Sequence, residues 1–509
     1  MKVRLMFPDA DADRDRHPPA HAADLIGDLG AEVLIETMAG GDRLLERISR
    51  LELIDGSPDP AAVTYRQDVL RDLIAHPSLA RDLYELSGEA LDIKQQVRYG
   101  WVQKTPTAVL NRSVQVMELL VDCLRRLRGI AGAYRDDVRS LGLRLLFERV
   151  CEELDEPYLQ QVEEHLHTLE FRRDVPISRR FGAGLAGRDY LLHDPQEFRR
   201  SMLDWMPLTH DRYTLVIPPR DDAAYQALEA LRDRAVNDVA NALGQSVDDV
   251  LGFFAALQWE VGFYLACLNL SAELERRGAP WCFPSATATP SVLEARTLYD
   301  VGLRLRTEGE VVGSDVDAQG RPLIVITGAN QGGKSTFLRA IGLAQLMLQA
   351  GMFVAAEAQT ASVTPILLTH FKREEDRTME SGKLDEELRR MSTIVDVLRP
   401  GALLLSNESF AATNEREGSQ LGRDLFDALT DCGVRVVAVT HLTELARTLQ
   451  RDRADQSVFL RAERQPDGTR TFRLTAGAPQ GTGYGVDLYR RVFGSEPTAD
   501  ETADGMPPA

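Results

Sequence analysis

Apolar residues recur every three or four positions from about residue 59 to 170. Asp59-Pro60 opens the run that includes YRQDVLRDLIAHPSLARDLYELSG. LNRSVQVMELLVDCLRRLRGIAGAY and SLGLRLLFERVCEELDEPYLQQVEEHLHTLEF continue it. This spacing predicts long amphipathic helices packed on one another. The period breaks over 175–219, where ISRRFGAGLAGRDYLLH and DRYTLVIPPR read as short strands with turns. Helices resume at Asp221 and reach about Arg277, including the apolar LGFFAALQWEVGFYLACLNLSAELERR. After Pro280 the texture changes to short apolar runs alternating with helices. RPLIVITG, PILLTHF, ALLLSNE and VRVVAVTH are runs without alternation, as expected of strands buried on both faces. The pattern predicts four regions: a small polar segment with helical patches (1–58), a helical domain with a short strand-containing insertion near 175–219 (59–280), an α/β nucleotide-binding domain (281–492), and a disordered acidic tail (493–509).

Candidate chemistry concentrates in the α/β part. Thr327–Thr336 reads TGANQGGKST, and Gly328-x-x-x-x-Gly333-Lys334-Ser335 within it is a complete phosphate-loop motif. A buried strand precedes it and an amphipathic helix follows. Glycines let the backbone curl with its N–H groups inward, and the helix N-terminus adds a favourable dipole for anions. The expected nucleotide-binding residues are Gly328, Ala329, Asn330, Gln331, Gly332, Gly333, Lys334, Ser335 and Thr336, with ATP and Mg²⁺ as ligands. Lys334 is expected on the β/γ-phosphates and Ser335 on Mg²⁺. ALLLSNES (402–409) fits the second element of such sites, a hydrophobic strand ending in polar residues. Glu408 is placed to orient or deprotonate the attacking water. Asn407 takes the metal-side position usually held by an acid, and brings an oxygen but no charge. His441, directly after a strand end in VVAVTHL, has the position of a γ-phosphate sensor. Glu408, His441 and Lys334 are therefore the candidate catalytic residues, and Ser335 and Asn407 the candidate metal ligands.

Composition narrows the surroundings of this site. The 509 residues carry a formal net charge of -19, which argues against nucleic acid wrapped over the whole surface while leaving room for a local basic track. Five scattered cysteines without CxxC spacing, and a start that turns acidic without an apolar signal segment, lead to the expectation of a cytoplasmic protein without a membrane span.

GANQGGKSTFLRAIGLAQ, QAGMFVAA, LLLSNESFAATNEREGSQ, VTHLTELA and GYGVDLYRR together resemble the MutS family of DNA mismatch-repair ATPases over about 290–490. VTYRQDVLRDLIAHP (63–77) and WEVGFYLACLNL (259–270) are similar to parts of that family's helical lever domain. The resemblance implies an ABC-ATPase-like P-loop domain after the lever, two nucleotides between two ATPase domains, and hence a homodimer. It implies that Asn330 belongs to the nucleotide loop, and Gly351, Phe353 and Val354 to the segment after its helix. Thr413 and Asn414 would lie in the dimer-facing loop, and Tyr484 and Gly485 match the family's C-terminal Tyr-Gly. The sequence departs from the family at Asn407, at Ala411 and Ala412 in place of glycines, and at Leu384-Asp385 in place of the Ser-Thr contributed to the opposite subunit, with Ser381 an alternative donor. About 60 residues precede the lever, and no Phe-x-Glu mismatch reader occurs among them.

The expected function is an ATP-binding and ATP-hydrolysing dimer that binds double-stranded or branched DNA in repair or recombination rather than at mismatches, together with repair or recombination proteins. Arg172, Arg173, Arg179, Arg180, Arg188, Arg199 and Arg200 are the candidate phosphate-tracking cluster, with Asp174, Asp189, Asp194 and Glu197 available to neutralise it. The alternative is a nucleotide-gated scaffold for a protein partner with little or no DNA binding. A transport or chromosome-maintenance ATPase of the ABC type is disfavoured by the lack of an LSGGQ-like motif and of long heptad arms.

Overall fold

The computed structural model describes residues 1–97, 105–169, the strands at 177–181 and 187–192 as backbone, 222–372, 382–464 and 470–479. In chain order the helical part contains α1 (Ala22–Leu29), α2 (Glu32–Ala39), α3 (Arg43–Ile54), α4 (Pro60–Ala75), α5 (Pro77–Gln96), α6 (Pro106–Tyr134), α7 (Leu141–Glu153) and α8 (Glu156–Leu169). The hairpin β1 (Ile177–Phe181) and β2 (Gly187–Leu192) and the long α9 (Asp222–Arg276) complete it. Then follow β3 (Ser285–Thr287), β4 (Leu293–Leu298), α10 (Val301–Arg306), β5 (Ser314–Asp317), β6 (Leu323–Thr327), α11 (Lys334–Gln349), β7 (Ala358–Ser362) and β8 (Leu367–Phe371). The chain continues through α12 (Lys383–Val397), β9 (Leu403–Asn407), α13 (Glu415–Asp431), β10 (Arg435–Val439), α14 (Thr443–Arg453), β11 (Ser457–Arg464) and β12 (Arg470–Ala476).

The chain forms two compact units that do not follow its linear order. The first takes Met1–Arg14 and Asp72–Leu265, the second Asp15–Arg71 and Ala266–Ala509. The segment expected as one N-terminal piece, 1–58, is thus divided at Arg14. The unit boundaries also fall inside helices, at Arg71 in α4 and Leu265 in α9.

In the first unit α6 packs against α5, α7 and α8. Thr105 caps α6 by accepting from the Ala108 N–H at 3.3 Å, and Pro106 at the first turn gives up no intrahelical bond. Leu79, Leu83, Leu86, Ala90 and Ile93 form the buried stripe of α5. The first residues of the chain are secured by one buried acid of α9. Glu260 accepts from the N–H groups of Leu5 (2.6 Å), Met6 (3.2 Å) and Ala12 (2.7 Å). The Tyr264 hydroxyl donates to the Leu5 carbonyl at 2.7 Å. Burial pushes the Glu260 carboxyl up to about 7, against the opposing pull of the three N–H donors. The most apolar window of Val236–Arg276 is long and hydrophobic enough to cross a membrane, and 72% of it is buried inside the protein.

In the second unit a six-stranded sheet runs in the order β12-β11-β6-β10-β9-β8. The strands expected from RPLIVITG, PILLTHF, ALLLSNE and VRVVAVTH are β6, β8, β9 and β10. They are parallel, with Val439 beside both Ile326 and Asn407, and Phe371 beside Asn407. Their carboxyl ends therefore lie level along one edge, where ligands of open α/β sheets bind. β12 closes one side antiparallel to β11. A second sheet runs in the order β3-β7-β4-β5, and Leu474 N on β12 donates to Ser314 Oγ on its β5 at 2.9 Å. The helix α11 packs between α1 and β9. A Cβ on Gly342 would lie 2.5 Å from Leu29 Cδ2 and 2.7 Å from Leu405 Cδ1, so this contact admits only hydrogen. Where α11 ends, Gly351 (φ 77) lies against Arg66, which is fully buried, pairs with Glu52 at 3.5 Å and donates to the Ala350 carbonyl at 3.3 Å.

Candidate nucleotide site

β6 is buried at every residue and delivers the chain into the phosphate loop. Gly328 (φ 117) and Gly333 (φ 89) turn it, and exposed Gln331 takes φ 60 between them. The glycines are also required by neighbours. A Cβ at Gly328 would lie 2.9 Å from Ala462 N, at Gly332 2.7 Å from Ala462 Cβ, and at Gly333 2.8 Å from the Phe472 carbonyl. The edge hairpin β11–β12 is therefore the back wall of the loop. Arg470 on the same hairpin donates to Gln331 Oε1 at 2.7 Å.

Lys334, the first residue of α11, is almost wholly buried. Its Nζ donates to the carbonyls of Gly328 (2.9 Å) and Ala329 (3.0 Å). Burial lowers its pKa, the Glu408 carboxylate opposes that shift, and the Arg470 charge adds to it. The next residue, Ser335, donates from Oγ to Asn407 Oδ1 at 3.0 Å. Residues 72 positions apart are thus brought together at the loop. Two oxygens side by side, completed by water and phosphate, are a donor set that suits Mg²⁺.

Glu408 follows Asn407 directly and lies in the left-handed region (φ 55), its N–H donating to the Val439 carbonyl at 2.9 Å. Lys372 N donates to the Asn407 carbonyl at 3.1 Å. His441 is half-buried just beyond β10, whose last bond runs from Thr440 N to the Ile326 carbonyl at 3.1 Å. Because β10 lies between β6 and β9, His441 leaves the sheet one strand from the phosphate loop and one strand from Glu408. Asn330 is exposed on the loop and Thr336 half-buried on the first turn of α11. Asn414 caps α13 by accepting from the Glu417 N–H at 3.0 Å, with Thr413 hydrogen-bonded to Glu417 beside it. Leu384 and Asp385 fall in the first turn of α12. Ser381, Tyr484, Gly485, Arg172, Arg173, Arg199 and Arg200 lie outside the described residues. Arg179, Arg180 and Arg188 are on the backbone of β1 and β2, where Arg180 stands opposite Asp189.

Two features escaped the sequence reading. Next to the loop is a cavity of about 270 Å³, lined by Tyr299, Val311, Val312, Phe337 and Phe472, with Gly333 and Thr336 in its wall. Phe472 is half-exposed at φ 58. An exposed aromatic on an edge strand was the available signal. The second is a buried polar cluster behind Glu408, built from His370, Ser406, Ser409 and Glu387. A histidine at the end of an apolar strand is the faint trace it leaves in the sequence.

Two family models match the chain in succession: the MutS2 N-terminal domain over residues 58–277, and MutS domain V, an ATPase-like fold, over 324–495. This chain is a homologue of the MutS2-family proteins. Its helical part and its strand–helix ATPase-like part follow one another as in the expected architecture. The endonuclease MutS2 of Thermus thermophilus is 29% identical over 170 residues, 33% of this MutS2 homologue and 23% of that protein. The endonuclease MutS2 of an Anaeromyxobacter species is 31% identical over 249 residues, covering 48% and 30%. The DNA mismatch repair protein MutS of Natronomonas pharaonis is 27% identical over 309 residues, covering 58% and 34%. The MutS2 homologue thus matches about a third, or less, of the length of each of these relatives.

Proposed function

We propose that this MutS2 homologue binds Mg²⁺-ATP at the phosphate loop and hydrolyses it. The Ser335–Asn407 contact carries the reading, because it sets the phosphate loop against the end of β9, directly before Glu408. In this reading the Lys334 ammonium exchanges its two backbone carbonyls for phosphate oxygens. The loop N–H groups and the α11 N-terminus hold the rest of the phosphate chain. Ser335 and Asn407 would hold Mg²⁺, which when bound supplies charge neutralisation on the phosphate oxygens. Glu408 orients the attacking water and His441 faces the terminal phosphate. The apolar cavity next to Gly333 and Thr336 takes the base, with Phe472 as its stacking face.

The wider role proposed is a cytoplasmic homodimer acting on double-stranded or branched DNA in repair or recombination. Support comes from the relatives, named as an endonuclease and as a DNA mismatch repair protein, from arginines on β1 and β2, and from five cysteines that are all free. A second reading, a nucleotide-gated scaffold with slow turnover, is favoured by one observation: Asn407 puts a neutral group where a carboxylate would strengthen metal binding.

Two variants test the site. Lys334→Ala is expected to weaken ATP binding by at least about a hundredfold, since a desolvated charge contact to phosphate is lost. Glu408→Gln is expected to keep ATP binding while lowering saturating turnover by about a hundredfold or more. Equilibrium titration with a fluorescent ATP analogue and a phosphate-release assay read the two effects separately. Turnover by Glu408→Gln at the wild-type rate would put the water-orienting group elsewhere. A wild type that binds ATP and never releases phosphate would favour the scaffold.

A further inference from the structure

The chain leaving β9 holds two residues with side chains in the left-handed region, Glu408 (φ 55) and Phe410 (φ 61), on either side of Ser409. Such conformations persist only where the surroundings over-determine them. Ser409 is buried, and its Oγ lies 2.6 Å from His370 Nδ1 and 2.7 Å from Ser406 Oγ. His370, at no measurable exposure, lies with Nε2 3.2 Å from the Glu387 carbonyl on α12. A carbonyl only accepts, so Nε2 carries a proton, and in the neutral ring Nδ1 accepts from the Ser409 hydroxyl, which also lies 3.3 Å from the His370 carbonyl. The Phe410 N–H donates to the Glu387 carboxylate, and the Phe410 ring stacks on His370 with centroids 6.1 Å apart. Ser409 and Phe410, the two residues after Glu408, are therefore gripped from β8 and from α12.

We propose that Ser409, His370 and Glu387 form a clamp that holds Glu408 in its left-handed conformation, and so act as positioning residues for ATP hydrolysis. The inference rests on the reading of Glu408 as the group that orients water. None of the three reaches the phosphate loop, so their effect passes through the backbone at 408–410. Ordered seating of α12 then becomes a condition for hydrolysis and not for nucleotide binding.

The test uses full-length Ser409→Ala, Glu387→Met and Glu387→Gln beside Glu408→Gln, each measured for ATP affinity, saturating turnover and thermal melting. Ser409→Ala and Glu387→Met are expected to bind ATP within about twofold of wild type and to turn over about tenfold more slowly or worse. Glu387→Gln keeps an acceptor for the Phe410 N–H and is expected to restore most of the rate. Full turnover in Ser409→Ala and Glu387→Met, with Glu408→Gln inactive, would overturn the clamp and leave the Glu408 reading intact. Full turnover in Glu408→Gln would overturn both. Loss of affinity and rate in equal measure, with a lowered melting point, would show a merely structural role and also overturn the clamp.

Discussion

The two banks of the candidate site reach left-handed backbone by different means. On the phosphate-loop side the burden falls mostly on Gly328 and Gly333, which adopt φ 117 and φ 89 without a Cβ to clash. On the β9 side it falls on Glu408 and Phe410, which cannot be glycine if one is to present a carboxylate and the other to fill the core. The first bank needs an absence of side chain, and its walls, Ala462 and the Phe472 carbonyl, close to within 3 Å of where a Cβ would be. The second needs side chains in place and is held instead by buried hydrogen bonds. A conformation supplied by glycine is local and visible in a motif, whereas one imposed on a functional residue depends on distant partners.

The sharpest way to break the contrast is to add one methyl to the glycine bank. Gly333→Ala combines an unfavourable φ with a Cβ 2.8 Å from a backbone oxygen. We expect ATP affinity to fall by roughly thirtyfold or more, with the melting point of the protein little changed. Affinity near wild type would mean that the loop can open without the glycine. A smaller effect is expected from Phe472→Ala, which removes the aromatic face beside the loop and leaves the phosphate contacts alone. Affinity for ATP should drop about three- to tenfold, while affinity for inorganic triphosphate stays the same. Equal loss for both ligands would place the base elsewhere. The smallest effect concerns charge on the opposite bank. Asn407→Asp keeps an oxygen near Ser335 and adds one negative charge, so the Mg²⁺ concentration for half-maximal turnover should fall by roughly threefold. A magnesium titration of wild type and variant reads this directly, and a rise instead of a fall would show a shell adapted to the neutral amide.

The phosphate loop was legible because its chemistry is contiguous: strand, glycines, lysine, serine and helix follow one another over Leu323–Gln349. β9 and β10 were legible for a related reason, since strands buried on both faces are unbroken apolar runs ending in polar residues at the sheet edge. The expected segment 1–58 was not resolved into its two fates. Its first residues join α9 through Glu260, some 250 positions away, while α1 and α3 pack on α11 of the ATPase-like unit. Nothing periodic within those residues distinguishes the two destinations.

The order of the candidate residues along the chain, from phosphate loop through Asn407-Glu408 to His441, was legible from sequence alone, because each element carries its own local signature. Tertiary structure decided which of these elements meet and what stands behind them. It placed Ser335 Oγ 3.0 Å from Asn407 and made β11–β12 the wall of the loop. It also set His370 and Glu387 behind a strained Glu408. The physical reason is that strand order and hydrogen bonding between distant residues arise from the packing of the whole sheet, which no stretch of sequence encodes by itself.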